Sequence, residues 1–132
     1  MIMKLLLDTH VILWALEDSP YLPSNIREMI CDERNEIYVS VISLWEIAIK
    51  HNKHPEILTR SAIEIRDYCQ RSGFIFLSLS IDNVSTYQSL DLTSHLDQFD
   101  QMLVSQSISS NMTLITHDKA LLNYHLPSIL LF

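Results

Sequence analysis

Five acidic side chains are spaced so that a folded chain can gather them. Asp8 ends the apolar run Met3–Leu7, and Asp118 ends a second run that starts at Met112. Glu46 lies within Ser43–Ile49, and Asp97 and Asp100 stand three residues apart, just ahead of Gln101-Met102-Leu103-Val104. A carboxylate at the end of a buried strand is costly unless something pairs with it. With only 9 lysines and arginines in 132 residues, the fitting partner is a hard divalent cation, which takes oxygen ligands. Metal-dependent phosphate chemistry is the reaction class to which this set points.

Each acid taken singly also has a structural explanation. Asp8 suits a turn or a helix N-cap. Glu46 suits a capping box with Ser43, or an i,i+4 pair with Lys50. Asp97 suits an N-cap, Asp100 the first turn of a helix, and Asp118 the cap of a helix starting at Lys119. The joint pattern, rather than any one member, argues for a site. His10, His95 and His117 each lie within two residues of an acid. None has the close His or Cys pairing of a zinc site, and a mixed carboxylate set suits magnesium or manganese. The histidines are read as supporting or surface groups, with His117 the one placed to touch substrate. Thr116, His117, Lys50 and Lys53 are the candidate substrate contacts. Lys50, His51, Lys53 and His54 form the one basic cluster, either a solvated helix end or a phosphate-contact patch. Trp14, Trp45, Phe99 and Leu103 are expected to pack the core or a dimer face.

The elements that must position these residues alternate between strand-length apolar runs and longer stretches of helical period. This is the pattern of a single α/β domain spanning 1–132, three layers deep, with a central and mainly parallel sheet. Strands are expected at 3–7, 36–39, 74–79, 113–116 and 128–131. Helices are expected at 10–16, from Pro23 or Ser24 to about Arg34, from Ser40 or Ser43 to about Lys53, over 57–71, from Ser80 or Asp82 to about Leu90, from Asp97 to Ser110, and briefly from Lys119. Pro55 interrupts the chain after Lys53, and Gly73, the one glycine, stands where a helix C-cap is expected. Ligands of open parallel sheets bind beyond the carboxyl ends of the strands, where Asp8 and Asp118 fall. The i,i+3 spacing of Asp97 and Asp100 puts both on one helix face.

Composition narrows the alternatives. An apolar share of 48% and a charged share of 19% describe a folded globular chain rather than a disordered one. No apolar run reaches membrane-spanning length, and the leucine run before Asp8 is too short for a signal peptide, so a cytoplasmic protein is expected. Cys31 and Cys69 have neither metal-ligand spacing nor the density of a disulfide scaffold, and read as free thiols. The net charge of -7 argues at first against nucleic acid. Without the five acids, however, the 16 become 11 against 9 bases, nearly neutral, so a nucleic-acid substrate is not excluded and its binding is expected to be weak and metal-dependent. There is no Gly-x-Ser-x-Gly elbow, and one glycine cannot build a phosphate loop.

At Leu5-Leu6-Leu7-Asp8-Thr9-His10, Ser43-Leu44-Trp45-Glu46-Ile47-Ala48-Ile49-Lys50, His95-Leu96-Asp97-Gln98-Phe99-Asp100 and Leu114-Ile115-Thr116-His117-Asp118, the chain resembles the PIN-domain ribonucleases. It is especially similar to the VapC-type toxins of toxin–antitoxin pairs. The four blocks stand in the family's order across nearly the whole chain. The resemblance implies an acidic quartet of Asp8, Glu46, Asp100 and Asp118, with Asp97 beside it. It also implies a homodimer, a cognate antitoxin and cleavage of RNA. Leu96 and Gln101 stand where the family commonly has arginine, Gln98 where it has proline and His117 where arginine is frequent, which removes phosphate contacts but leaves the carboxylates.

The reading that follows is a Mg²⁺- or Mn²⁺-dependent endoribonuclease. Asp8, Asp100 and Asp118 hold the metal, Glu46 completes the set, and water attacks the phosphodiester without a covalent intermediate, leaving 5′-phosphate and 3′-hydroxyl ends. Two other readings stay open. One is a PIN-like module weakened in catalysis that acts mainly by binding a partner protein. The other is a receiver-like phosphoacceptor, which lacks its usual early acidic pair and late lysine here.

Overall fold

Leu5, Leu6 and Leu7 are all fully buried, as three consecutive apolar residues are when a strand has helices on both faces. The structure is a computed structural model that describes residues 2–90, 96–124 and 126–132. His95 lies outside the described residues. The strands are β1 (Lys4–Leu7), β2 (Glu36–Ser40), β3 (Ile75–Leu77), β4 (Thr113–Thr116) and β5 (Ile129–Leu131). The helices are α1 (Thr9–Glu17), α2 (Ser24–Cys31), α3 (Val41–Lys53), α4 (Ala62–Arg71), α5 (Ile81–Ser89) and α6 (Gln98–Ser109), with a 3₁₀ turn at Lys119–Tyr124. All pairings are parallel, in the order β3-β2-β1-β4-β5. A receiver-like sheet runs 2-1-3-4-5, so this topology excludes that fold.

The alternation of β1 divides the core. Leu5 and Leu7 join Val11, Ile12, Ile26, Ile47, Ile65 and Cys69 on one face of the sheet. Leu6 joins Ile42, Leu103, Val104 and Leu114 on the other. The three-layer α/β/α arrangement with a parallel sheet is therefore as expected. Register places Leu6 opposite both Tyr38 and Leu114, and the Asp8 N–H donates to the Ile115 carbonyl at 3.0 Å. That last bond carries the β1–β4 ladder up to the first acid.

Local hydrogen bonds moved several boundaries. The helix expected over 57–71 begins only at Ala62. Ser61 accepts the Glu64 N–H and Glu64 accepts the Ser61 N–H, a reciprocal cap that sets the start, and Ile57 is left exposed. α2 stops at Cys31 because Asp32 captures both the backbone N–H and the guanidinium of Arg34. β3 is short because Ser80 and Asn83 cap α5 in the same reciprocal way. Ser40, not Ser43, caps α3, its Oγ accepting the Ile42 N–H at 3.0 Å, so the capping box between Ser43 and Glu46 does not form. Gly73 follows the end of α4 with φ +80°, the left-handed conformation that glycine adopts without penalty.

Candidate active site

The carboxyl ends of β1 and β4 lie side by side, and each hands the chain directly to an acid. Asp8 follows Leu7 and caps α1, with Oδ1 accepting the Thr9 N–H at 2.6 Å. Its Oδ2 accepts the Thr116 hydroxyl at 2.6 Å. The same Thr116 oxygen accepts the Asp118 N–H at 3.1 Å, and Asp118 Oδ1 in turn accepts the Ala120 N–H at 3.0 Å. Capping and clustering thus coexist, because each carboxylate has lone pairs to spare after its local bond.

Glu46 enters from α3, one turn and more past Ser40, and is only 5% exposed. Its Oε1 accepts the Thr9 hydroxyl at 2.7 Å, and that hydroxyl shares a 3.0 Å hydrogen bond with Ser43. Its Oε2 lies 2.7 Å from Lys50 Nζ, the i,i+4 pair anticipated from spacing. Asp97 caps α6, its Oδ1 accepting the Asp100 N–H at 2.8 Å, and this bond presents Asp100 in the first turn of the helix.

Asp8, His10, Trp14, Glu46, Lys50, Asp97, Asp100, His117 and Asp118 line one cleft of about 380 Å³. The five acids picked out from spacing all reach it. A larger concavity, about 840 Å³, lies at the amino ends of β2 and β3 beside α2 and α4, away from this set. Burial holds the Asp100 carboxyl well above the usual carboxylate range, with the Asp8 charge, a hydrogen bond to Asp118 and the charges of Asp97 and Asp118 adding to it. Burial also raises Asp8, against the bonds from Thr116 and Thr9 and the attraction of His10, with Glu46 raising it further. Like charges crowded in low dielectric resist ionisation together.

Of the candidate substrate contacts, Lys50 and His117 line the cleft, whereas Lys53, exposed on the last turn of α3, does not. Thr116 corrects the expectation made for it. It is fully buried, with its hydroxyl spent on Asp8 and Asp118, so it positions acids and leaves no surface for a substrate. Sequence reasoning missed Thr9, Ser43 and the cleft position of Trp14. The available signal was a small polar residue beside Asp8 and another on the apolar face of α3. Trp14, expected in the core or on a dimer face, leans on the first core cluster. Trp45 is 57% exposed and packs against Phe99 at 5.2 Å between ring centroids.

The donor set fits a hard divalent cation: oxygens predominate, one lysine answers five acids in the cleft, and burial together with the neighbouring acids raises the Asp100 carboxyl, a cost that a cation would offset. Among the described residues, no three His, Cys, Asp or Glu side chains already stand together as a closed metal cage. The fit is therefore one of donor chemistry and charge.

The PIN domain family model matches residues 5–125. No curated protein matches the chain in sequence. Among solved structures, VapBC2 from Rickettsia felis bound to a promoter DNA fragment is 20% identical, covers 98% of each chain and has a TM-score of 0.71. DNA-bound VapBC from Salmonella typhimurium is 17% identical over 98% of this chain and 97% of that one, with a TM-score of 0.68. VapBC-1 from nontypeable Haemophilus influenzae is 18% identical over 88% and 87%, with a TM-score of 0.59. At these identities the likeness is one of fold.

Proposed function

Because the chain belongs to the PIN domain family, we propose that it is a Mg²⁺- or Mn²⁺-dependent endoribonuclease, the VapC-type toxin of a toxin–antitoxin pair. The observation that carries this reading is the convergence of Asp8, Glu46, Asp97, Asp100 and Asp118 on one cleft at the carboxyl ends of β1 and β4. Asp8, Asp100 and Asp118 would hold the cation, with Glu46 and Asp97 beside them. When bound, the cation neutralises charge on the phosphoryl oxygens and lowers the pKa of the attacking water.

The chain's own residues do the rest. Thr116 keeps Asp8 and Asp118 at a set separation, and Thr9 and Lys50 hold Glu46. Lys50, half-exposed at the cleft, meets the incoming phosphate as a point charge. In the hydrolysis the water oxygen bonds to phosphorus and the P–O3′ bond breaks. The 3′ oxygen leaves with a proton, giving 5′-phosphate and 3′-hydroxyl ends. The likeness to VapBC structures supports an antitoxin partner, and we place the protein in the cytoplasm as a homodimer. No helix of the described residues is long and apolar enough to cross a membrane.

Metal-dependent cleavage of total RNA, lost in EDTA and in Asp100→Asn, tests the reading, and Asp100→Asn cleaving like wild type overturns it. A specific observation keeps a second reading in view. Leu96 is buried, and Gln101 accepts from the Tyr87 hydroxyl at 2.7 Å while donating to the Leu96 carbonyl at 3.1 Å. Two positions where the resemblance expects arginine thus serve packing, which favours a module that binds a partner protein with weakened catalysis. Absence of thermal stabilisation by millimolar Mn²⁺ would select it.

A further inference from the structure

The cleft carries an aromatic group that the hydrolysis as described does not use. Trp14, six residues beyond Asp8 on α1, has its ring centroid 6.0 Å from His10 and 5.8 Å from Tyr21. It lies 5.6 Å from His117 and 6.3 Å from Phe132, which form a further pair at 4.9 Å. His10, Trp14 and His117 line the cleft with the acids. Tyr21 is 74% exposed, and His10 and His117 are exposed as well. Core packing accounts for the side of Trp14 that leans on the first cluster. It does not account for a tyrosine and two imidazoles kept in water around it, since aromatic rings are normally stabilised by burying their area.

We infer that Trp14, ringed by His10, Tyr21 and His117, is a stacking shelf for an unpaired base beside the phosphate bound over Asp8, Asp100 and Asp118. This rests on the nuclease reading of the acids. Every base has a π-face, and aromatic side chains next to a backbone-binding groove are how single strands are held without strict sequence preference. A base within a duplex has its faces covered and reaches such a ring only after unstacking. The cleft, about 380 Å³, is near the lower end of the roughly 300–1,000 Å³ of small-ligand pockets, which suits a nucleotide or so rather than a duplex.

The test is kcat/KM on short oligoribonucleotides in which each nucleotide near the cut is made abasic in turn. One abasic position should cost wild type about 10-fold. Trp14→Ala should lose about as much on intact RNA and be indifferent to that abasic change, while Trp14→Phe keeps most of the activity. Independent, additive losses overturn the shelf, and do so alone if Asp100→Asn still abolishes cleavage. If wild type cleaves no RNA, the nuclease reading and the shelf fall together. Should Trp14→Ala not fold, emission of Trp14 in a Trp45→Phe protein serves instead. Quenching by the single strand and not by its duplex supports the shelf. Emission unmoved by RNA but shifted by a partner protein overturns it and assigns the ring to protein docking.

Discussion

The Thr116 hydroxyl donates to Asp8 Oδ2 at 2.6 Å, joining residues 108 positions apart. Because the same oxygen accepts the Asp118 N–H at 3.1 Å, one buried hydroxyl sets the spacing of both strand-end acids. Thr116→Val removes these bonds with little change of shape. It should cost about 1–3 kcal/mol in stability and lower Mn²⁺ affinity or cleavage by about 10-fold or more, as removal of a group that orients metal ligands does. Thr116→Ser should keep both properties. Thermal melts and cleavage rates of the two variants check this.

Asp100 is held above the carboxylate range by burial and by Asp8, Asp97 and Asp118, so neutralising it relieves strain in the metal-free protein. Asp100→Asn should melt higher than wild type in EDTA, by about 3 °C or more for each kcal/mol of repulsion removed. The same variant should lose cleavage by about 100-fold or more. A site that trades stability for function gives this opposition, and paired melts and activity assays measure it.

The sign of the pH dependence follows from the same shift. With a folded-state pKa above the unfolded one, the native protein holds protons that the unfolded chain has released. The contribution of Asp100 and Asp8 to stability in EDTA should therefore be fullest below the ordinary carboxylate pKa, about 4, and be lost as pH rises through their raised values. Saturating Mn²⁺ should remove much of that loss by binding the ionised form. Melting temperature against pH, with and without metal, reads both.

Away from the cleft, Gln106 is fully buried on α6. Its Oε1 accepts the Ser40 hydroxyl at 2.5 Å, and its Nε2 donates to the Ser78 carbonyl at 3.4 Å and Asn83 Oδ1 at 3.3 Å. Gln106→Leu leaves polar partners in the interior without a mate and should destabilise by about 2–3 kcal/mol. The response of the melting temperature to Mn²⁺ should stay as in wild type, because none of these groups lines the cleft. Metal titrations followed by thermal melts test both halves.

Much of the fold was legible because its signals are local. The run Leu5-Leu6-Leu7 is buried on both faces, and Thr113–Thr116 has the strand limits expected. The start of α6 at Asp97 follows from an N-cap readable in four residues. Ends decided by competing side chains were not legible in the same way. Ser61 with Glu64 shortened the helix expected from residue 57, and Asp32 with Arg34 ended α2 early. Periodicity extends through such positions, and only the reciprocal hydrogen bond shows where the helix begins or ends.

For the site, sequence alone determined the actors: acids at strand ends and at helix starts, since those positions are written in apolar runs and capping patterns. The five acids do line one cleft. The tertiary structure decided what each actor does there. It turned Thr116 from a candidate substrate contact into the tie between Asp8 and Asp118. It gave Glu46 its hydrogen bond from Thr9, 37 positions away, and brought Trp14 from the core to the cleft wall. The physical reason is reach. A cap or an i,i+4 pair is settled within one turn, whereas a hydrogen bond between distant residues exists only once the parallel register of β1 and β4 and the packing of α3 have set their separation.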